Sequence, residues 1–255
     1  MVVPVSKLVV PTVRRGWALS LCEAAGEAGG SFRSSRRPSR EGMVFGPSED
    51  PARSAAEAAR RARGKVRRYC AANRLNRLGT LTYRGEGCHD IDQLVTDVGV
   101  FFRRLRRELG GKPFAYVWVP EWHKSGHGLH VHFAVGRFIK QSVIAQAWGH
   151  GFVHIKLLGD LPVGSGALGE ARAAAGYLSK YVGKAFADDR VPGRNRYDVA
   201  QGFQPAIVPV WGASRDEAIR EASRRMGNRQ PSYVWLSQHT HGWQGPPAVW
   251  VQWPG

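Results

Sequence analysis

No run of apolar residues long enough to cross a bilayer occurs in this 255-residue chain. The longest candidate, Phe114 to Pro120, is strand-sized, against the ~20 residues a spanning helix needs. The N-terminal stretch carries Arg14 and Arg15 but no apolar core ending in a small-residue cleavage site, so no secretory signal is expected. Cysteine is scarce. Cys22, Cys70 and Cys88 are far apart, odd in number and without metal-ligand spacing, which excludes a disulfide framework and fits a reduced, cytoplasmic setting. No GxxxxGK[ST] loop is present, so the chain is not expected to hydrolyse ATP to unwind DNA. Internal repeats are absent too. Acidic residues are few: 20 Asp and Glu face 37 Lys and Arg, for a formal net charge of +17. Such a charge says little about fold and much about partners, because it attracts polyanions. With no membrane segment, nucleic acid is the expected partner.

Apolar residues make up 43% of the chain, enough for a core. They are unevenly spread. Residues 1–51 are rich in Gly, Ser, Pro and Arg and show no sustained periodicity; "GGSFRSSRRPSREG" reads as part of a flexible basic arm. Residues 52–77 turn to Ala and Arg, a helix-forming mix. This basic helix carries Arg60, Arg61, Arg63, Lys65, Arg67 and Arg68, which suit a clamp on the DNA backbone or a solvated helix face.

From residue 78 to 205 the pattern is that of a folded domain. Leu78 to Tyr83 is β-branched and followed by glycines, so it reads as a strand. Asp92 to Leu109 spaces Leu94, Val98, Phe101, Phe102, Leu105 and Leu109 as a helix face. Phe114 to Glu121 and Leu129 to Val135 read as a hairpin. A short helix (Ile139 to Trp148), a strand (Phe152 to Leu158) and a long helix (Ala167 to Phe186) follow. The order matches an α+β, ferredoxin-like split βαβ sheet, antiparallel, with helices on one face. Residues 206–255 form a looser C-terminal extension, with a helix at Ser214 to Met226 and short strands at Tyr233 to Leu236 and Val249 to Trp253.

Two segments carry chemistry. In the strand Leu129 to Val135, period-two alternation sends His130 and His132 to one face and the apolar residues to the other. Glu121 ends the preceding strand and can return across the hairpin. Two imidazoles and a carboxylate suit Mg²⁺ or Mn²⁺ acting as a Lewis acid. A four-histidine zinc site with His123 and His127 is the alternative. His239 and His241 repeat the His-x-His spacing but have no apolar alternation or nearby carboxylate. The second segment is "YLSKYVGK", whose Tyr177, Lys180, Tyr181 and Lys184 fall at i, i+3, i+4 and i+7, one helix face opposite the apolar stripe. A phenol suits reversible attack on a phosphodiester, given a nearby ammonium and a polarised phosphate.

Together these segments resemble the HUH endonuclease superfamily, named for histidine–hydrophobe–histidine. "TLT" at Thr80 to Thr82, "HVH" at His130 to His132 and the Tyr/Lys helix come in that family's order, with the tyrosine after the histidines as in rolling-circle replication initiators. The resemblance implies an HUH endonuclease domain that nicks and rejoins one strand of origin DNA through a 5′-phosphotyrosine. It assigns His130, His132 and Glu121 to a divalent metal, Tyr181 and Tyr177 to attack, and Lys180 or Lys184 to positioning. Thr80 and Thr82 would support the site or contact DNA. Host helicase and polymerase would be partners alongside single-stranded and origin DNA. A transposase-like nuclease and a non-enzymatic nucleic-acid-binding module are the competing readings. "RYDVAQGFQP" (Arg196 to Pro205) also looks like initiator sequence, with no role assigned to it.

Overall fold

The computed structural model describes residues 15–34, 50–156, 166–186, 197–243 and 245–255. In chain order its elements are β1 (Gly16–Cys22), β2 (Glu27–Arg33), α1 (Pro51–Ala72), β3 (Arg77–Tyr83), α2 (Ile91–Glu108), β4 (Tyr116–Trp122) and β5 (Leu129–Val135). There follow α3 (Gln141–Trp148), β6 (Gly151–Lys156), α4 (Gly166–Phe186), β7 (Asp198–Val199) and β8 (Val208–Gly212). The last three are α5 (Arg215–Arg225), β9 (Tyr233–Leu236) and β10 (Ala248–Gln252). The fold is α+β, with two antiparallel five-stranded sheets and five α-helices among the described residues. The chain divides into two compact units, one within 1–21, 27–46 and 207–254, the other within 22–26 and 47–206.

The second unit holds the sheet ordered β6-β3-β5-β4-β7. Its first four strands give the split βαβ order expected from the sequence. The helix α2 begins where the Asp90 carboxylate accepts from the backbone N–H groups of Asp92 and Gln93, and ends before Gly110 and Gly111, both at positive φ. Its buried side carries Leu94, Val98, Phe101, Phe102 and Leu105, which pack with α3 against Leu81, Val131, Phe133 and Val135. Helices are not confined to that face. α1 and α4 pack on the other, over Leu78, Val117, Val119 and Ala134. The reason lies in the strands: β3, β4 and β5 are apolar on both faces at one end, and polar on the second face only beyond Thr80 and His132.

At Gly79 the missing side chain makes room for the Phe133 ring, since a Cβ there would stand 2.3 Å from it. That ring is wedged between Phe101 and Phe102, with centroids 5.7 and 6.3 Å away, and cannot swing aside. Gly79→Ala is therefore expected to lower stability by roughly 1–3 kcal/mol, as overpacking does, read as a lower urea midpoint with an unchanged slope.

The segment at Arg196 to Pro205 gains a structural role, although Arg196 itself lies outside the described residues. Asp198–Val199 is β7, which adds a strand to the free edge of β4. Further on, the Phe203 carbonyl accepts from Asn73 Nδ2 at 3.0 Å.

The other unit corrects the expectation of a flexible arm over residues 1–51. β1 and β2 lie inside that span and join β8, β10 and β9 in the order β8-β1-β2-β10-β9. Residues 1–14 and 35–49 of the expected arm lie outside the described residues. Glycine content conceals the strands. A Cβ at Gly30 would stand 1.8 Å from the Ala18 carbonyl oxygen, so these backbones approach in a way only glycine permits. The C-terminal extension supplies the other three strands and α5, whose Ala218 and Ala222 pack on Leu19, Leu21, Val249 and Val251. Neither end of the chain holds a complete sheet, so neither reads as a domain alone.

Candidate active site

Strand register builds the site. Glu121 on β4 lies opposite His130 on β5, and His130 lies opposite Thr82 on β3. One row along, His132 faces Val119 on one side and Thr80 on the other. Because residues paired across an antiparallel sheet share a face, Glu121, His130, His132, Thr80 and Thr82 all point the same way. Leu129, Val131 and Phe133 are buried on the opposite face and hold the strand in this register.

On that face three ligand atoms converge. Glu121 Oε2 is 3.0 Å from His130 Nε2 and 2.7 Å from His132 Nε2, and the two Nε2 atoms are 3.1 Å apart. Both histidines are buried, His130 to 8% and His132 to 5% exposure. Hydrogen bonds alone satisfy this triangle poorly. If both Nε2 atoms carry hydrogen to donate to Glu121, two donors face each other; if one does not, a carboxylate faces a lone pair. His130 Nδ1 adds to the mismatch, being buried with no hydrogen-bond partner among the described residues. His132 Nδ1 pairs with Thr80 Oγ1 at 3.1 Å, which suits the tautomer that leaves the Nε2 lone pair turned to the cluster. A cation resolves the conflict. Glu121, His130 and His132 can hold a metal ion, and they are the cluster of that kind among the described residues.

Charge follows the same arrangement. Burial works to raise the Glu121 pKa, but hydrogen bonds from His130, His132 and Lys184 outweigh it, and the carboxyl sits well below its ordinary range. Burial, with the neighbouring His130 and Lys184, pushes His132 down against the pull of Glu121. An ionised carboxylate beside a neutral imidazole is the protonation state a divalent cation requires.

The helix α4 brings its tyrosines over this cluster. The Tyr181 ring stacks on the His132 ring with centroids 3.7 Å apart, and Tyr181 Oη donates to Tyr177 Oη at 2.7 Å. Lys184 Nζ reaches Glu121 Oε1 at 2.5 Å and lies 4.9 Å from the Tyr181 ring centroid. Tyr181 is pushed above its ordinary pKa, first by burial, then by its hydrogen bond to Tyr177 and the charges of Tyr177 and Glu121. The phenol is therefore protonated at neutral pH. A cleft of about 390 Å³ opens beside these groups, lined by Thr80, Thr82, Glu121, His130, His132 and Tyr181 among others.

Residues 76–186 match the family model of the replication-associated protein ORF2. This segment belongs to that replication-associated family. The match takes in the whole cluster and the tyrosine helix, and it fits a rolling-circle Rep protein. It spans less than half of the chain, leaving out α1 and the β8-β1-β2-β10-β9 unit. No curated protein and no solved structure matches the chain.

Within the replication-associated segment, not every residue singled out by sequence joins the cluster. Tyr181 is not opposite the apolar stripe of α4. It is only 9% exposed and packs beside Leu178 and Val182, because the helix leans on the sheet through its tyrosine side as well. Lys180 is exposed, while Lys184, one turn on, makes the contact with Glu121. A four-histidine zinc site is not formed. His127 Nε2 is engaged with the Tyr83 carbonyl at 3.0 Å and His123 Nδ1 with Ser125 Oγ at 2.5 Å. Glu170, a carboxylate two turns before Tyr177, accepts from Asn76 Nδ2 instead of reaching the cluster. His239 and His241 are exposed. On α1, outside the matched segment, Arg60, Arg61, Arg63 and Lys65 are exposed while Arg67 and Arg68 are half-buried, since Ala59, Ala62, Val66 and Tyr69 take the packed side.

Lys156 at the end of β6 is a site neighbour that sequence alone does not single out. Its Nζ lies 4.1 Å from the Tyr177 ring centroid. Alternation in β6 is the available signal: Val153 and Ile155 pack on the core, so Lys156 must face the tyrosines.

Proposed function

We propose that this protein starts rolling-circle replication by nicking one strand of origin DNA and later rejoining it. The observation that carries the reading is the stacking of Tyr181 on His132 at 3.7 Å, which joins a phenol to a ready-made ligand set. In the proposed reaction Tyr181 Oη bonds to the phosphorus as the bond to the 3′ oxygen breaks. A 5′-phosphotyrosine forms, and the departing oxygen takes a proton to become a 3′-OH. Rejoining runs the exchange in reverse, with a 3′-OH as attacker and the phenol as leaving group. A divalent cation, Mg²⁺ or Mn²⁺, held by Glu121, His130 and His132 would supply Lewis-acid polarisation of a phosphate oxygen.

The chain's own residues do the rest. Tyr177 Oη accepts the Tyr181 hydrogen and so aims that hydroxyl. Lys184 brings an ammonium to the rim of the cluster, where negative charge grows during attack. Thr80 orients His132. The exposed basic residues of α1 would grip phosphates without reading sequence. A host polymerase would extend the 3′-OH, and a host helicase would open the duplex.

The test uses random-sequence single strands labelled at either end, incubated with the full chain and Mn²⁺. The expected product is a denaturation-resistant adduct that retains the 3′ label, releases the 5′ label and is absent with EDTA. A basic binding module would retain DNA only under native conditions. Failure to form any adduct with DNA that the protein demonstrably binds sinks the nicking reading.

A further inference from the structure

β6 is the edge strand of its sheet, and its outward residues lie on the site face. Phe152 pairs with Thr82, His154 with Thr80 and Lys156 with Leu78. Since Thr82 also pairs with His130, and His130 with Glu121, one row across the sheet reads Glu121, His130, Thr82, Phe152. Phe152 therefore lies two strand spacings, about 10 Å, from His130 on the same face. It is 70% exposed. Packing does not explain that ring, because Val153 and Ile155 already give β6 its grip on the core. α4 crosses this face over β4, β5 and β3, leaving the β6 side uncovered by helices among the described residues. Two residues beyond His154, Lys156 adds a positive charge to the same strip, next to Tyr177.

We infer that Phe152 is a stacking platform for a base of the single strand that crosses the cluster, flanking the phosphate at Tyr181. This rests on the DNA-nicking reading above. An aromatic face accepts any base, while a cation beside it holds the backbone, and that combination is how single strands are bound without sequence preference. The occupant follows from charge. With a formal net charge of +17 and Lys156 on the strip, a polyanion with flat apolar faces fits better than an apolar protein surface. Phe152 touches no reacting atom in this scheme; it is a positioning residue that fixes where the strand lies.

The experiment measures the affinity of the full chain for fluorescein-labelled oligo(dT) by anisotropy, in wild type, Phe152→Ala and Phe152→Tyr. Phe152→Ala is expected to bind about tenfold more weakly, and Phe152→Tyr to stay within about twofold of wild type, since a stacking face is all that is required. An oligo(dT) carrying 5-iodouridine is expected to photocrosslink to the peptide containing Phe152. Unchanged affinity in Phe152→Ala overturns the inference and leaves the exposed ring to a protein partner. So does equal loss in Phe152→Ala and Phe152→Tyr, which would mean altered local structure. The adduct assay runs beside it on the same proteins. Adduct with unchanged oligo(dT) affinity removes the platform and spares the nicking reading. Weakened affinity restored by Tyr, with no adduct from any protein, supports the platform and sinks the nicking reading.

Discussion

Replacing His130 and His132 together by Ala is expected to reduce adduct formation by roughly a thousandfold or more, while DNA affinity changes little. The two effects separate because most affinity comes from basic residues elsewhere, whereas the chemistry depends on one buried cluster. Single replacements should cost nearly as much, since each imidazole is half of a chelate whose remaining atoms sit 2.7 and 3.0 Å from one shared carboxylate oxygen. Glu121→Ala is expected to act twice, removing a ligand and releasing Lys184. Denaturing gels read the adduct and filter binding reads the affinity. Full-rate nicking by the double-histidine variant would falsify the metal assignment. Activity retained in Glu121→Ala alone would shift the third ligand to His123, whose ring centroid is 5.3 Å from that of His130.

The second large effect concerns the two tyrosines. Initiators of the phage type, which "YLSKYVGK" resembles in full, alternate two nucleophiles one helical turn apart. The plasmid type has a glutamate at the position of Tyr177 and uses one. A hydrogen bond of 2.7 Å between the phenols favours the first arrangement, since either oxygen can reach the space the other occupies. Tyr181→Phe should lose most adduct, Tyr177→Phe part of it, and the double variant all of it, measured with a labelled oligonucleotide. Loss of all adduct in Tyr181→Phe with normal nicking and closure in Tyr177→Phe would make the chemistry one-tyrosine. Glu170 offers no substitute for the missing glutamate, being bound to Asn76. Adduct persisting in the double variant would remove α4 from the mechanism.

Legibility in the sequence follows the range of the interactions. The strand Leu129 to Val135 is readable residue for residue because one face is wholly apolar and the other carries both histidines. Helix α2 is equally plain, with Phe101, Phe102 and Leu105 on a single side. What resists reading is what depends on distant partners. β1 and β2 find their pairing strands about 180 residues or more further on, at Val208–Gly212 and Ala248–Gln252, and their glycines look like linker until those partners are known. The 3.6 period of α4 defines the face shared by its tyrosines but not its tilt on the sheet, so the burial of Tyr181 emerges only from the structure. Lys156 and Phe152 stay hidden for the opposite reason: an exposed residue on a strand says nothing until its row is known.

The alternation in β5 has a consequence for how the protein guards its activity. Slipping this strand by one residue against β3 would turn Val131 and Phe133 toward the cleft and both histidines into the hydrocarbon interior. No misregistered state can keep the core and lose only the metal ligands, or the reverse. Quality control of folding and quality control of catalysis are therefore one event, and a population of stably folded but mispaired, idle molecules has nowhere to accumulate.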